Sequence, residues 1–374
     1  MCGYTVVFEE ENVKHNGSRV AAGLLIAGSL ALSACTQLDT PPKYAKGVEV
    51  DCGGKQNLTG SGSTAQANAI SHFITSYEES CSGKQLTYTA SGSGAGIQDF
   101  LAAKTDFGGS DSPLHGDEYV AAKQRCGGTD AWNLPVVFGP IAITFNVKTT
   151  DVLTLDAATL AKIFGGAITR WDDPAITALT GTMPAEDIHV IYRSDASGTT
   201  DNFQQYLQAA SGGAWTKGAG KAFNGGAGTS AQGNEGTSEA VKKTEGAISY
   251  NEWSYAMKQD LDVAGIKTAG GVVRIGNDWV GKTISNVTIK GQGNDLVLDL
   301  SKVYGTTTAG AYPILLASYE IVCSHYPDAE VGKTVKAFMQ STVTVGQQGL
   351  TPLGYIPLPS DFQTKVAAAV NNIS

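Results

Sequence analysis

The sequence predicts an α/β protein of two lobes. Strand-like apolar runs alternate with helical stretches, those stretches carry an apolar stripe of period 3.6, and 374 residues exceed what one core usually needs. Strand character appears around Leu58, over 86–89 and over 188–192. Residues 136–146 and 312–323 are longer apolar runs, able to pass between lobes. Ile70, Phe73, Ile74 and Tyr77 fall at i, i+3, i+4 and i+7 and predict a helix over 64–79. Ile97, Phe100 and Leu101 predict a second helix from Gly94. Phe203, Tyr206, Leu207 and Ala210 predict a third from Gly198. Residues 211–236 are rich in Gly and read as a surface excursion.

Hydrophobic content of 42% with 16% charged residues and 46 Gly describes a folded, loop-rich chain. The net charge of −9 argues against a nucleic-acid partner and gives no general attraction for anions. An anion site in such a chain has to be local, made of aimed donors and one or two cations.

The N-terminus points to export. Lys14, His15 and Arg19 precede an apolar run over 20–32, too short for a membrane span but the length of a signal-peptide core. The run ends in Leu32-Ser33-Ala34-Cys35, which resembles the lipobox of bacterial lipoproteins, and so implies that Cys35 is lipidated and anchors the mature chain in a membrane. Residues 1–12 carry Glu9, Glu10 and Glu11 where such a leader is basic, and read as a mis-assigned start, with the true one near Val13. Residues 36–51 read as a tether. Setting aside Cys2 and Cys35, four cysteines suggest two disulfides with three possible pairings. Cys52 and Cys81 each stand just before a strand. If those strands are parallel neighbours, Cys52–Cys81 is favoured, which leaves Cys126–Cys323. No CxxC spacing supports a zinc site.

Three of the helical stretches open on a Gly/Ser/Thr cluster: Gly60-Ser61-Gly62-Ser63-Thr64, Ser91-Gly92-Ser93-Gly94 and Ser197-Gly198-Thr199-Thr200. A helix N-terminus has unpaired N–H groups and a partial positive charge, so it favours an anion. One such loop is ordinary capping; three in one chain point to a ligand. Arg193 ends a strand just before the third cluster, where open α/β sheets bind ligands, and its planar fork suits an oxyanion. Asp195 is placed to orient it, although an Arg–Asp pair on a surface has little worth. Asp111, in Asp106-Phe107-Gly108-Gly109-Ser110-Asp111-Ser112-Pro113-Leu114, is at first sight the wrong charge, and is otherwise an ordinary turn residue. It fits a ligand still protonated at neutral pH. Hydrogen phosphate can donate to Asp111, whereas sulfate sets acceptor against acceptor.

With Ile168-Thr169-Arg170-Trp171-Asp172-Asp173-Pro174, Gly233-Asn234-Glu235-Gly236 and Gly246-Ala247-Ile248-Ser249-Tyr250, these motifs resemble the phosphate-specific substrate-binding lipoproteins of bacterial ABC transporters, over most of 58–359. The resemblance implies phosphate ligands at Thr64, Ala65, Ser93, Asp111, Arg193, Ser197, Gly198 and Thr199, with no catalytic residue, metal or cofactor. Where the family often has Phe, Ala65 offers the same backbone N–H without the aromatic wall. The implied fold is the type II periplasmic-binding-protein fold: two lobes, each a mixed sheet flanked by helices, joined by two β crossovers. Lobe I would comprise 52–143 plus 311–374 and lobe II 144–310, with crossovers near 143–146 and 310–312. The implied partners are inorganic phosphate and the permease subunits of an importer; the implied protein is a monomer on the extracytoplasmic face of the cell membrane.

Three other readings compete. Gly276-Asn277-Asp278-Trp279-Val280-Gly281-Lys282-Thr283 fits the Walker A pattern, but Trp and Asp fill its interior and residues 284–289 read as strand where a P-loop needs a helix. A secreted phosphatase acting on phosphate monoesters would use the same loops, yet needs a nucleophile with a base, or a metal cluster. His72, His115, His189 and His325 offer no such grouping by spacing, and no Ser sits in GxSxG. A surface adhesin has no positive sign in the sequence.

Overall fold

A computed structural model describes residues 50–276 and 280–374. The leader with Cys35, and the tether as far as residue 49, lie outside the described residues. Among the described residues no helix is long and apolar enough to cross a membrane.

The chain opens with β1 (Asn57–Gly62), α1 (Ala67–Ser80), β2 (Gln85–Thr89), α2 (Ser93–Leu101), β3 (Phe107–Ser110), α3 (Asp117–Arg125) and the 16-residue β4 (Ala131–Asn146). Next come β5 (Thr154–Asp156), α4 (Ala157–Phe164), α5 (Pro174–Thr180), β6 (His189–Arg193), α6 (Gly198–Ala210), β7 (Thr229–Ala231), α7 (Gly233–Lys243), β8 (Ala247–Glu252) and α8 (Trp253–Gln259). Shorter pieces follow: β9 (Asp262–Val263), β10 (Gly265–Thr268), β11 (Gly271–Val273), α9 (Val280–Ile284), β12 (Thr288–Ile289), β13 (Leu298–Asp299) and α10 (Ser301–Tyr304). The chain closes with β14 (Leu315–Cys323), α11 (Ala329–Val343) and α12 (Ser360–Asn371).

The main sheet runs β2-β1-β3-β14-β4-β8-β6-β7. β4 belongs to both lobes. It pairs with β14 through Pro140 and with β8 from Ile141 onward, both antiparallel. β1 lies parallel to β2 and β3 in the first lobe, and β6 lies parallel to β7 and β8 in the second. Burial on both faces explains why β4 and β14 read as long, largely apolar runs.

The helical stripes work as their spacing predicts. Ile70, Phe73 and Tyr77 are buried on α1, and the Tyr77 ring meets Phe338 of α11 edge-on at 5.8 Å between centroids. Ile97 and Phe100 of α2 are buried, as are Phe203, Tyr206 and Leu207 of α6; Ala210, at the end of that stripe, is exposed.

Four sequence expectations shift. α1 starts at Ala67, because the Ser63 hydroxyl accepts the N–H groups of Ala65 (3.0 Å) and Gln66 (3.4 Å) and holds the residues before it as a turn. The run expected over 312–323 becomes strand only at Leu315, after Pro313, which cannot donate to a ladder. The Gly-rich excursion ends earlier than 236, since Thr229–Ala231 is a strand and α7 starts at Gly233. Residues 284–289 are not one strand: Val280–Ile284 is helical and only Thr288–Ile289 is extended. Tertiary pairing explains this last case. The Thr283 hydroxyl donates to the Tyr312 carbonyl (3.2 Å) and accepts its N–H (2.8 Å). That pairing also takes the Walker-type Thr283 out of any phosphate role.

Both expected disulfides are present, Cys52–Cys81 and Cys126–Cys323, and β1 and β2 are indeed parallel neighbours. The sequence separations are 29 and 197 residues. On the chain-entropy account, opening the longer loop costs about 1–2 kcal/mol more than opening the shorter. We therefore expect Cys126→Ala/Cys323→Ala to lose more stability than Cys52→Ala/Cys81→Ala in urea unfolding; equal losses would contradict that account.

Candidate oxyanion site between the lobes

Asp111 follows β3, which lies between β1 and β14, so the ends of β1 and β3 and the interior of β14 deliver residues to one place. Its Oδ1 accepts the hydroxyls of Ser63 (2.6 Å) and Ser318 (2.7 Å). Its Oδ2 has only the Ser93 hydroxyl, at 3.3 Å. A carboxylate oxygen has two lone pairs, so Oδ1 is saturated and Oδ2 keeps capacity. Ser93 also takes the Asp111 N–H at 3.1 Å. Burial raises the Asp111 carboxyl above its ordinary range, and the hydroxyls of Ser63 and Ser318, the charge of Arg193 and the Ser93 hydroxyl pull it partly back. A proton is therefore held here more firmly than in water.

The second lobe brings α6 against this carboxylate. A Cβ on Gly198 would stand 2.6 Å from the Asp111 Cβ and 2.6 Å from the Ser93 hydroxyl, so only glycine allows the helix to start there. Ser197 caps α6 by accepting the Thr200 N–H at 3.1 Å, which leaves the N–H groups of Gly198 and Thr199 at the buried positive end. Arg193, at the end of β6, is 3% exposed. It donates through Nε to Asp195 (2.8 Å), through a second nitrogen to the other Asp195 oxygen, and through Nη1 to Thr199 Oγ1 (3.3 Å). Burial would raise the Asp195 carboxyl, but the hydrogen bonds and charge of Arg193 and the Gly233 N–H hold it below the usual range. The guanidinium is thus oriented by a committed anion.

The lobes meet around these groups. Gly94 N–H donates to the Ala196 carbonyl (2.8 Å), Asn202 Nδ2 to the Asp111 carbonyl (2.8 Å), and the Ser112 hydroxyl to Asp201 (2.6 Å). Gly92, at φ +101°, lies where a Cβ would collide with the Asp195 carboxylate. Thr64 joins from the first lobe, its Oγ1 accepting the N–H (3.2 Å) and Nδ2 (3.1 Å) of Asn234. Ala65 is buried beside it with its N–H on the Ser63 hydroxyl. Thr64, Ala65, Ser93, Asp111, Arg193, Ser197, Gly198 and Thr199 thus lie in one buried cluster fed by both lobes.

Three members of the network were given no role of their own by the sequence: Ser63 and Asn234, each inside a motif, and Ser318. Ser318 had one legible signal, a lone hydroxyl within the apolar Leu315-Leu316-Ala317 run. Other motif residues are structural. Asp173 caps α5 through the Ala175 N–H (2.8 Å), and the Trp171 indole N–H holds the Gly246 carbonyl (3.0 Å).

Two lobes sharing one long strand, with a buried polar cluster at their meeting edges, fit a periplasmic-binding-protein fold, and residues 46–343 match the family model described as PBP superfamily domain. The chain is 56% identical over 371 residues to Phosphate-binding protein PstS 3 of Mycobacterium tuberculosis, covering 97% of this chain and 100% of that one. It is 30% identical over 317 residues to Phosphate-binding protein PstS of Haemophilus influenzae, covering 83% and 91%. The chain belongs to the PstS family of phosphate-binding proteins. Among solved structures, a high-affinity periplasmic phosphate-binding protein bound with phosphate superposes with TM-score 0.68 at 23% identity, covering 83% of this chain and 93% of that one. A phosphate-binding protein from Stenotrophomonas maltophilia gives 0.65 at 20%, covering 84% and 94%. At that identity the likeness is one of fold.

Two more carboxyls are buried near Asp111. Burial pushes Glu252 well above the usual range, with the N–H and hydroxyl of Ser254 restraining it. Burial raises Glu320 well above it too; Gln66 tempers this, without a hydrogen bond of good geometry to either oxygen. A folded-state pKa raised above the unfolded value means the native state holds more protons between the two. Stability therefore falls as pH rises through that window, and the penalty is complete above the folded pKa. Glu320→Gln cannot carry the charge. Its melting temperature, relative to the original protein, should climb as pH rises above the ordinary glutamate range; parallel curves would show that Glu320 is not the source.

Proposed function

We propose that this chain captures inorganic phosphate between its lobes at the cell surface and delivers it to the permease of an ABC importer. The observation that carries this reading is the asymmetry of Asp111. A buried carboxylate with one saturated oxygen and one open oxygen faces the start of α6 and the Arg193 side of the cluster. Hydrogen phosphate satisfies that arrangement: its proton goes to Asp111 Oδ2, and its remaining oxygens accept from the surrounding donors. In this reading the hydroxyls of Thr64, Ser197 and Thr199, and the backbone N–H groups of Ala65, Gly198 and Thr199, supply those donors. The Ser93 hydroxyl, whose proton otherwise goes to Asp111, turns to the ligand when it binds. Arg193 supplies the charge, and Asp195 keeps its fork aligned. The Ala65 N–H is shared with the Ser63 hydroxyl.

The boundary between the lobes follows from where β4 changes partner, at Pro140 and Ile141, with the return path at residues 310–314 beside it, where Ile141 N–H meets the Ile314 carbonyl (2.9 Å). A hinge there opens the cleft and admits the ligand. Lipidation at Cys35 and the tether that follows keep the receptor beside its permease and raise its effective concentration there. A monomer suffices for this role.

The direct test is thermal. Phosphate at 100 times its dissociation constant should stabilise the protein by about 2.7 kcal/mol, while sulfate at the same concentration should not. No shift with phosphate would sink the reading, and release of p-nitrophenol from p-nitrophenyl phosphate would favour a phosphatase instead. Asp111→Asn exchanges an acceptor for an amide that can donate. The sulfate-to-phosphate affinity ratio should rise by tenfold or more, on the order of the 1–3 kcal/mol an unmatched polar group costs. An unchanged ratio in calorimetry would remove Asp111 from the selectivity argument.

A further inference from the structure

Asn234 stands between hydroxyls contributed by the two lobes. It lies in the first turn of α7 and is fully buried. Its Oδ1 accepts the Glu252 N–H at 2.9 Å, which fixes the orientation of the amide and turns the NH2 toward the cleft. That NH2 donates to Thr64 Oγ1 and to Thr199 Oγ1, each at 3.1 Å. Each hydroxyl oxygen receives one donor more. Thr64 takes the Asn234 backbone N–H at 3.2 Å, and Thr199 takes Arg193 Nη1 at 3.3 Å.

A hydroxyl has two lone pairs and one proton. Thr64 and Thr199 have both lone pairs engaged, so each can only give its proton away. Among the described residues neither proton has a protein acceptor. We propose that Asn234 is a positioning residue that sets the Thr64 and Thr199 hydroxyls as obligate donors to the bound anion. The inference rests on the phosphate reading above and deepens it. Since Asn234 rides on the second lobe and Thr64 on the first, parting the lobes frees the Thr64 hydroxyl to turn. The donor set is then complete only in the closed protein. It also leaves the ligand's own proton a single destination, Asp111.

The test is a double-mutant cycle read by phosphate titration at fixed pH and salt, on the original protein, Asn234→Ala, Thr199→Val and the double variant. Asn234→Ala should weaken phosphate binding by about tenfold, the scale of one hydrogen bond to a charged group. In the Thr199→Val background the same change should cost clearly less, because one of the two hydroxyls it orients is already gone. A merely structural Asn234 would cost the same factor in both backgrounds, and that result overturns the inference, as does unchanged affinity in Asn234→Ala. If Asn234→Ala does not fold, Asn234→Asp keeps the acceptor for Glu252 N–H and serves in the same cycle, its added charge cancelling between backgrounds. Failure of the original protein to take up phosphate marks the collapse of the functional reading itself, before any variant is compared.

Discussion

The site depends on a buried carboxylate that is only half satisfied. Three serines from three segments converge on Asp111, and two of them spend their protons on the same oxygen. Sheet order makes this possible. With β3 between β1 and β14, Ser63 follows one neighbour, Asp111 follows the central strand and Ser318 lies on the other neighbour. A carboxylate with both oxygens filled would repel any anion. One with neither filled would be too costly to bury ionised. Filling one oxygen leaves acceptor capacity in one direction, which on the proposed reading suits a ligand that brings one proton.

The opposing lobe supplies what the carboxylate cannot. α6 starts against Asp111 with its positive end foremost, and Arg193 is pinned by Asp195 so that its charge does not wander. The net charge of −9 gives the protein no broad pull on anions, so selectivity has to come from fixed, short-range donors rather than from a diffuse field. Neither lobe alone holds both the acceptor and the guanidinium. On the proposed reading, binding and closure are one event, since a ligand that completes both halves also bridges them.

How much of this was legible follows from which interactions are local. The Gly/Ser/Thr openings of α2 and α6, and the pair Arg193–Asp195, are written within a few residues of chain, and a reader who knows what a helix N-terminus attracts can find them. The three stripes were legible for the same reason, apart from Ala210, where the helix runs out into solvent. Ser63, Ser318 and Asn234 were not. Their roles exist only after strands 255 residues apart in sequence, as Ser63 and Ser318 are, come side by side. α9 was misread because nothing near Thr283 announces that its hydroxyl will bind the backbone of Tyr312. Local chemistry can be read from sequence; partners chosen by the fold cannot.

The disulfides show how the two lobes divide the work. Both lie in the lobe that carries Asp111: Cys52–Cys81 ties the segment before β1 to the end of α1, and Cys126–Cys323 ties the end of α3 to the last residue of β14. The second bond holds the strand that presents Ser318, five residues away, in register with β3 and β4. The described residues of the second lobe contain no cysteine. The acceptor side is thus stapled, and the donor side is held by hydrogen bonds that can open and re-form. A receptor that must recognise one proton on its ligand needs the acceptor not to move, because a displaced carboxylate loses direction as well as distance. A receptor that must also release the ligand needs the other half to let go. Placing both covalent ties in the lobe that carries Asp111, and leaving the other lobe without one among the described residues, satisfies the two demands together.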